Sequence, residues 1–152
     1  MKIKKRMGLF ALTAALSWPS LSCPAQQNSI PNAVTTRFVG MFPDAKNIDW
    51  REKSQNIQVF FVTNNYQCEA KFQPDGHWLS TERRISLDSL PARAREVIGS
   101  GDYAGWSILK AFIVQFPVEP LQYRVVIANK DGLRKILSYS QDGQLIKSNL
   151  AL

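Results

Sequence analysis

The chain has 152 residues, 45% hydrophobic and 20% charged, with a formal net charge of +7 and a pI near 9.7. This is the composition of an ordinary globular protein. Its basicity is not that of a nucleic-acid binder, because a binding footprint needs basic side chains clustered on the folded domain, and only Arg83-Arg84 and Arg93 with Arg95 come close.

The N-terminus is a case apart. Lys2, Lys4, Lys5 and Arg6 precede an apolar run from Met7 to Trp18, followed by Pro19 and small residues. A basic start, a short apolar run and small residues predict a secretory signal peptide over residues 1–25, too short in its apolar part to span a bilayer as an anchor. Four of the 19 basic residues and none of the 12 acidic ones fall in this leader, so the remainder carries about +3. Cleavage is expected near Ser22 or after Ala25. Ser20-Leu21-Ser22-Cys23 also loosely matches a lipoprotein signal, in which Cys23 would become the lipidated first residue and tether the protein without spanning the membrane.

Residues 26–29 read as a polar linker. A helix is expected from Ile30, with Pro31 in its first turn and Ile30, Val34, Phe38 and Met41 forming one apolar stripe. Strand candidates follow at Lys46–Arg51 and Ile57–Thr63, then at Tyr66–Gln73 and Trp78–Arg84. Asn64-Asn65 and Pro74-Asp75-Gly76 supply the turns between the later ones. A second helix is expected with Ser86 or Asp88 as cap, Pro91 in its first turn and Leu90, Ala94, Val97 and Ile98 as its stripe, stopped by Gly99 and Gly101. Tyr103–Phe116 reads as mostly extended. Strands at Gln122–Ala128, Leu133–Tyr139 and Leu145–Ser148 then follow, separated by Asp131-Gly132 and Asp142-Gly143.

Phe72-Gln-Pro-Asp75-Gly76-His77-Trp78-Leu79 returns as Tyr139-Ser-Gln-Asp142-Gly143-Gln144-Leu145-Ile146, and Ile30-Pro31 returns as Leu90-Pro91. A period of roughly 60 residues predicts two copies of one unit, about 30–85 and 86–148, within a single domain over residues 30–152. The expected fold class is α+β: a tandem repeat of a helix followed by an antiparallel β-meander, with the helices packed on one face of a shared sheet and both repeats sharing one core.

Residues 30 to 148 resemble the PepSY-like family, also described as β-lactamase-inhibitor-like proteins. The residues that carry the resemblance are Pro31 with Val34 and Phe38, Phe42-Pro43-x-Ala45 with Trp50, and Ala70-x-Phe72-x-x-Asp75-Gly76-x-Trp78. A degenerate set follows in Leu90-Pro91, Tyr123-x-Val125 and Tyr139-x-x-Asp142-Gly143, where Leu145 stands in place of a tryptophan. The resemblance implies an exported bacterial protein of tandem helix-plus-sheet units with a binding or inhibitory role rather than catalysis. Its constant positions are turn and core residues, and no functional residue is carried over.

The residues themselves give catalysis little support. His77, the lone histidine, follows Asp75-Gly76 and reads as a solvated turn residue rather than a base. Cys68 falls on the apolar face of an alternating strand, where a buried thiol acts as a small hydrophobe. One histidine and one thiol cannot make a zinc site, and the Asp-Gly pairs are spaced as hairpin turns rather than as a calcium loop. Asp44, Asp49 and Glu52 are scattered acids, and Gly99-Ser-Gly101 follows a helix instead of opening one as a phosphate loop would. No catalytic residue, metal or cofactor is expected.

Aromatics are the better candidates. Ile57-Gln-Val-Phe60-Phe61-Val62 is apolar on both strand faces, so Phe60 is expected on an open sheet face if there is one. Trp50, Phe60 and Trp78 are the candidate binding residues. The expected protein is an exported, periplasmic or cell-envelope, non-enzymatic binding module. Its partner would be a protein or peptide of the envelope rather than nucleic acid, and a small-ligand or peptide-sensing module is the alternative.

Overall fold

The computed structural model describes residues 30–151. The leader, the linker and Cys23 lie outside the described residues. The elements run α1 (Asn32–Met41), β1 (Lys46–Glu52), β2 (Ile57–Thr63), β3 (Tyr66–Phe72), β4 (Trp78–Ile85), α2 (Ala92–Gly99), β5 (Ser107–Gln115), β6 (Gln122–Ala128), β7 (Arg134–Tyr139) and β8 (Leu145–Leu150).

All eight strands form one antiparallel meander in chain order, β1 to β8. This corrects the expected α+β tandem of helix-plus-meander repeats. The hydrogen-bond ladder does not pause at the boundary near residue 85: β4 pairs β5 from Thr81–Gln115 to Ile85–Ala111. Pairing there removes two exposed strand edges that separate units would leave open. The recurring Asp-Gly turns mark hairpins, and a hairpin signal says nothing about where a sheet ends.

The expected single core is also corrected. Helix α1 has 10 residues and α2 has 8, so they are about 15 Å and 12 Å long. Eight strands spread over about 34 Å, so neither helix can cover the sheet. Each instead seals its own cluster. Val34 and Phe38 of α1 pack with Ile57, Val59, Phe61, Cys68, Ala70 and Phe72. Leu90 together with Ala94 and Ile98 of α2 packs with Ala111, Val125, Ile127, Leu137 and Tyr139. Side-chain alternation through the pairing register puts both clusters on the same face of the sheet.

Phe38 is the hub of the first cluster, with ring centroids 5.0 Å from Phe61, 5.1 Å from Trp50 and 5.5 Å from Phe42. In the second, the Tyr103 hydroxyl donates to Ser148 Oγ at 3.0 Å, tying the segment after α2 to the last strand. Tyr103 belongs to a single 3-10 turn, Gly101–Tyr103, and not to the extended run expected from it; the strand begins at Ser107. Neither Ser86 nor Asp88 caps α2. Pro91 occupies that position, and Leu87–Ser89 forms its own 3-10 turn.

Two glycines couple the turns to the helices. Gly76 has φ +92°, and a Cβ there would sit 2.9 Å from the Ala33 carbonyl oxygen in α1. Gly143 has φ +79°, and a Cβ there would sit 2.9 Å from the Arg93 Cβ of α2. Only glycine satisfies both the backbone and the space. Among the described residues no helix is long and apolar enough to cross a membrane.

Candidate functional site

With α1 and α2 on one side, the other side of the sheet carries no helix among the described residues. The pairing register assigns its side chains. One row runs Asp49, Phe60, Glu69, Glu82, Val114 and Gln122 across β1 to β6. The adjacent row contains Arg84, Phe112, Arg124, Ser138 and Lys147 across β4 to β8.

Glu82 is the electrostatic centre of this face. It is 7% exposed, and a carboxylate so buried must be compensated. Arg124 reaches over β5 to close on its Oε1, and Lys71 Nζ lies 3.5 Å away on the other side while also 3.3 Å from Glu69. Val114 is 1% exposed though it points this way, boxed in register between Glu82 and Gln122. The middle of the face is therefore a charge-balanced floor.

Beside that floor lies a depression of about 280 Å³, walled by Phe60 and Phe112, with Glu69, Glu82, Arg84 and Lys110 around it. Both rings are half-buried. The Arg51 guanidinium stacks 4.4 Å from the Phe60 centroid and also pairs with Asp49 at 3.0 Å, which holds that ring in place. Arg84 Nη1 donates to Gln67 Oε1 at 3.3 Å and is otherwise exposed, as is Lys110.

A second depression, of about 380 Å³, opens on the helix side, where the two clusters leave the middle of the sheet uncovered. Met41, Tyr66, Cys68, Thr81, Arg83 and Ile113 are among its walls. Arg83 stacks 4.5 Å over the Tyr66 ring. Cys68 is a free, buried thiol, and burial pushes its pKa up, with Arg83 opposing the shift. A thiol held protonated by burial is a poor nucleophile.

The sequence candidates fall on different sides. Phe60 is on the helix-free face. Trp50 and Trp78 pack against the α1 cluster instead, Trp50 edge-on to Phe38 and Trp78 donating from Nε1 to Thr81 Oγ1 at 3.0 Å. The structure does not bring the three together. What it places near Phe60 is Phe112, Arg84 and Lys110. Their strand, Lys110-Ala-Phe112-Ile-Val114, is apolar on both sides, so period-two reading could not assign its faces. His77 is 81% exposed, with Nδ1 3.7 Å from Asp75 Oδ2. Among the described residues no three His, Cys, Asp or Glu side chains gather as a metal site would require.

No family model matches the chain, and no curated protein matches it. Solved structures do. A DUF2874 family protein from Bacteroides ovatus superposes with TM-score 0.72 at 24% identity, over 81% of this chain and 89% of that one. A protein from Bacteroides eggerthii, assigned provisionally to the periplasm, gives 0.73 at 18% identity over 80% and 89%. A BLIP-like protein from Bacteroides fragilis gives 0.68 at 22% identity over 80% and 86%. The chain therefore shares the BLIP-like fold. None of the three bears the PepSY name.

Proposed function

We propose that the chain is an exported, non-enzymatic binding module that docks a protein of the cell envelope through its helix-free sheet face, as an inhibitor or an adaptor. The observation that carries this reading is the pair of half-buried rings, Phe60 and Phe112, flanking a depression on a sheet face with no helix over it among the described residues. Recessed aromatics on a stiff scaffold lose little entropy on binding and are enriched at docking hot spots. The BLIP-like and provisionally periplasmic neighbours support the same reading, as does the leader over residues 1–25. The PepSY-like resemblance rests on the sequence motifs alone. In this reading Phe60 anchors the partner, while Trp50 and Trp78 support the α1 cluster. Cys23 offers a lipid tether, which metabolic labelling with an alkyne fatty acid would detect.

Photo-crosslinking tests the docking face. A benzophenone amino acid replacing Phe60 or Phe112, in the native envelope, should give one discrete protein adduct. The same residue replacing Leu87, exposed before α2, should give none. Adducts of equal yield at all three positions, or none at the first two, would refute the proposal.

The helix-side depression is the seat for a second reading, a small-ligand or peptide-sensing module. Its size and mixed lining suit a small ligand. Ligand-induced shifts confined to Tyr66 and Arg83 would favour it.

A further inference from the structure

We infer that the surface received by the helix-free face is an acidic protein loop, an inference that rests on the docking reading above. The argument is one of charge placement. From Ile30 onward the chain has 15 basic and 12 acidic residues, a net of +3. The strand side chains on the helix-free face include eight basic and three acidic ones, a net of +5, by the pairing register. The positive excess of the domain is thus gathered on this one face.

The acids there are already engaged. Asp49 is held by Arg51, Glu69 by Lys71, and Glu82 by Lys71 and Arg124. Arg84, Lys110, Arg134 and Lys147 are exposed and make no ion pair among the described residues. Arg84 and Lys110 stand at the depression itself: Arg84 pairs in register with Phe112, and Lys110 lies two residues before Phe112 on β5. Phe60 on β2 and Phe112 on β5 are three strands apart, about 14 Å. That span takes a loop of another protein, with apolar side chains against the two rings and a carboxylate between Arg84 and Lys110. A partner with such charge would be steered in faster at low salt.

Cations beside aromatics on a sheet also suit single-stranded nucleic acid. Here the two rings are half-buried in the walls of a depression rather than raised for base stacking. The acidic protein loop is the better match.

The test is an NMR titration of the isotope-labelled exported chain with three probes. These are the capped peptide acetyl-Gly-Phe-Asp-Glu-Leu-Gly-amide, its Asn/Gln counterpart, and a ten-residue oligothymidylate. The acidic peptide should shift the amides of Phe60, Arg84, Lys110 and Phe112 with saturation in the millimolar range. The neutral peptide should bind at least fivefold more weakly, and R84E/K110E, at exposed positions, should abolish the difference. Equal binding of both peptides, tighter binding of the oligonucleotide at the same amides, or no shift with any probe would overturn the inference. The crosslinked partner separates the two claims. If the adduct formed from position 112 survives R84E/K110E but is lost in F60A, docking stands and acidity fails. If the adduct is lost in both, acidity gains support alongside docking.

Discussion

Arg124 on β6 closes on Glu82 of β4, passing over β5. The pair bridges the strand junction that joins the two halves of the sheet and forms the floor of the proposed docking face. Lys71 completes the arrangement from β3.

E82Q should therefore cost stability. It leaves Lys71 and Arg124 facing a neutral amide on a largely dehydrated floor. Removing one partner from a fully buried pair costs several kcal/mol; with both cations partly exposed, the expected loss is about 2 kcal/mol. The urea midpoint measures it. A loss no greater than that of E69Q, at a more exposed carboxylate, would show that the network is not structural.

The glycines of two hairpins should separate backbone strain from crowding. Gly132 has φ +82° with open space around its Cβ position, whereas Gly143 has φ +79° and Arg93 Cβ at 2.9 Å. G132A should cost about 1 kcal/mol, the left-handed penalty alone. G143A should cost roughly 3 kcal/mol, because α2 must also shift. Equal losses in denaturant melts would mean that the turn does not fix the helix.

Tyr139 should make stability fall at high pH. Its hydroxyl is buried without a hydrogen-bond partner among the described residues, and burial, with Tyr103 adding to it, pushes its pKa up to about 12 from 10.0. Between those values the unfolded chain loses the proton first, so folding stability is intact below pH 10 and declines from pH 10 to 12. Y139F should be at least as stable at pH 7, since it removes an unpaired buried hydroxyl. It should also decline less between pH 10 and 12. Comparing the two proteins cancels the contribution of Cys68, whose pKa is also raised. An identical pH slope in both would rule out Tyr139 as the cause.

Trp50 and Phe60 should behave oppositely. W50A removes an edge contact to Phe38 and should cost roughly 2 kcal/mol, less than a full core truncation because the ring is only partly buried. F60A should cost about 1 kcal/mol or less while abolishing the partner adduct. Thermal melts combined with the crosslink yield distinguish the two roles. A stability loss in F60A as large as in W50A would make Phe60 a packing residue.

Much of the local structure was legible in the residues. Val34 and Phe38 announced the buried stripe of α1, Asn64-Asn65 the tight turn with φ of 48° and 63°, and alternation around Cys68 its buried side. These are short-range effects of backbone freedom and period, which act within a few residues. The same signals misled at larger scale. Recurrent Asp-Gly turns and paired prolines suggested two units with one core, but Thr81–Ile85 pairs with Ala111–Gln115 and the helices are too short to share a core.

By itself, the sequence determined which segments turn, which extend and which helical faces are apolar, because each follows from neighbours along the chain. Only the tertiary structure decided that the strands make one eight-stranded sheet, that Phe60 and Phe112 share its helix-free side, and that Glu82 lies between Lys71 and Arg124. Those relationships join residues far apart in the chain through strand register, and a strand that is apolar on both faces carries no mark of which side will be covered.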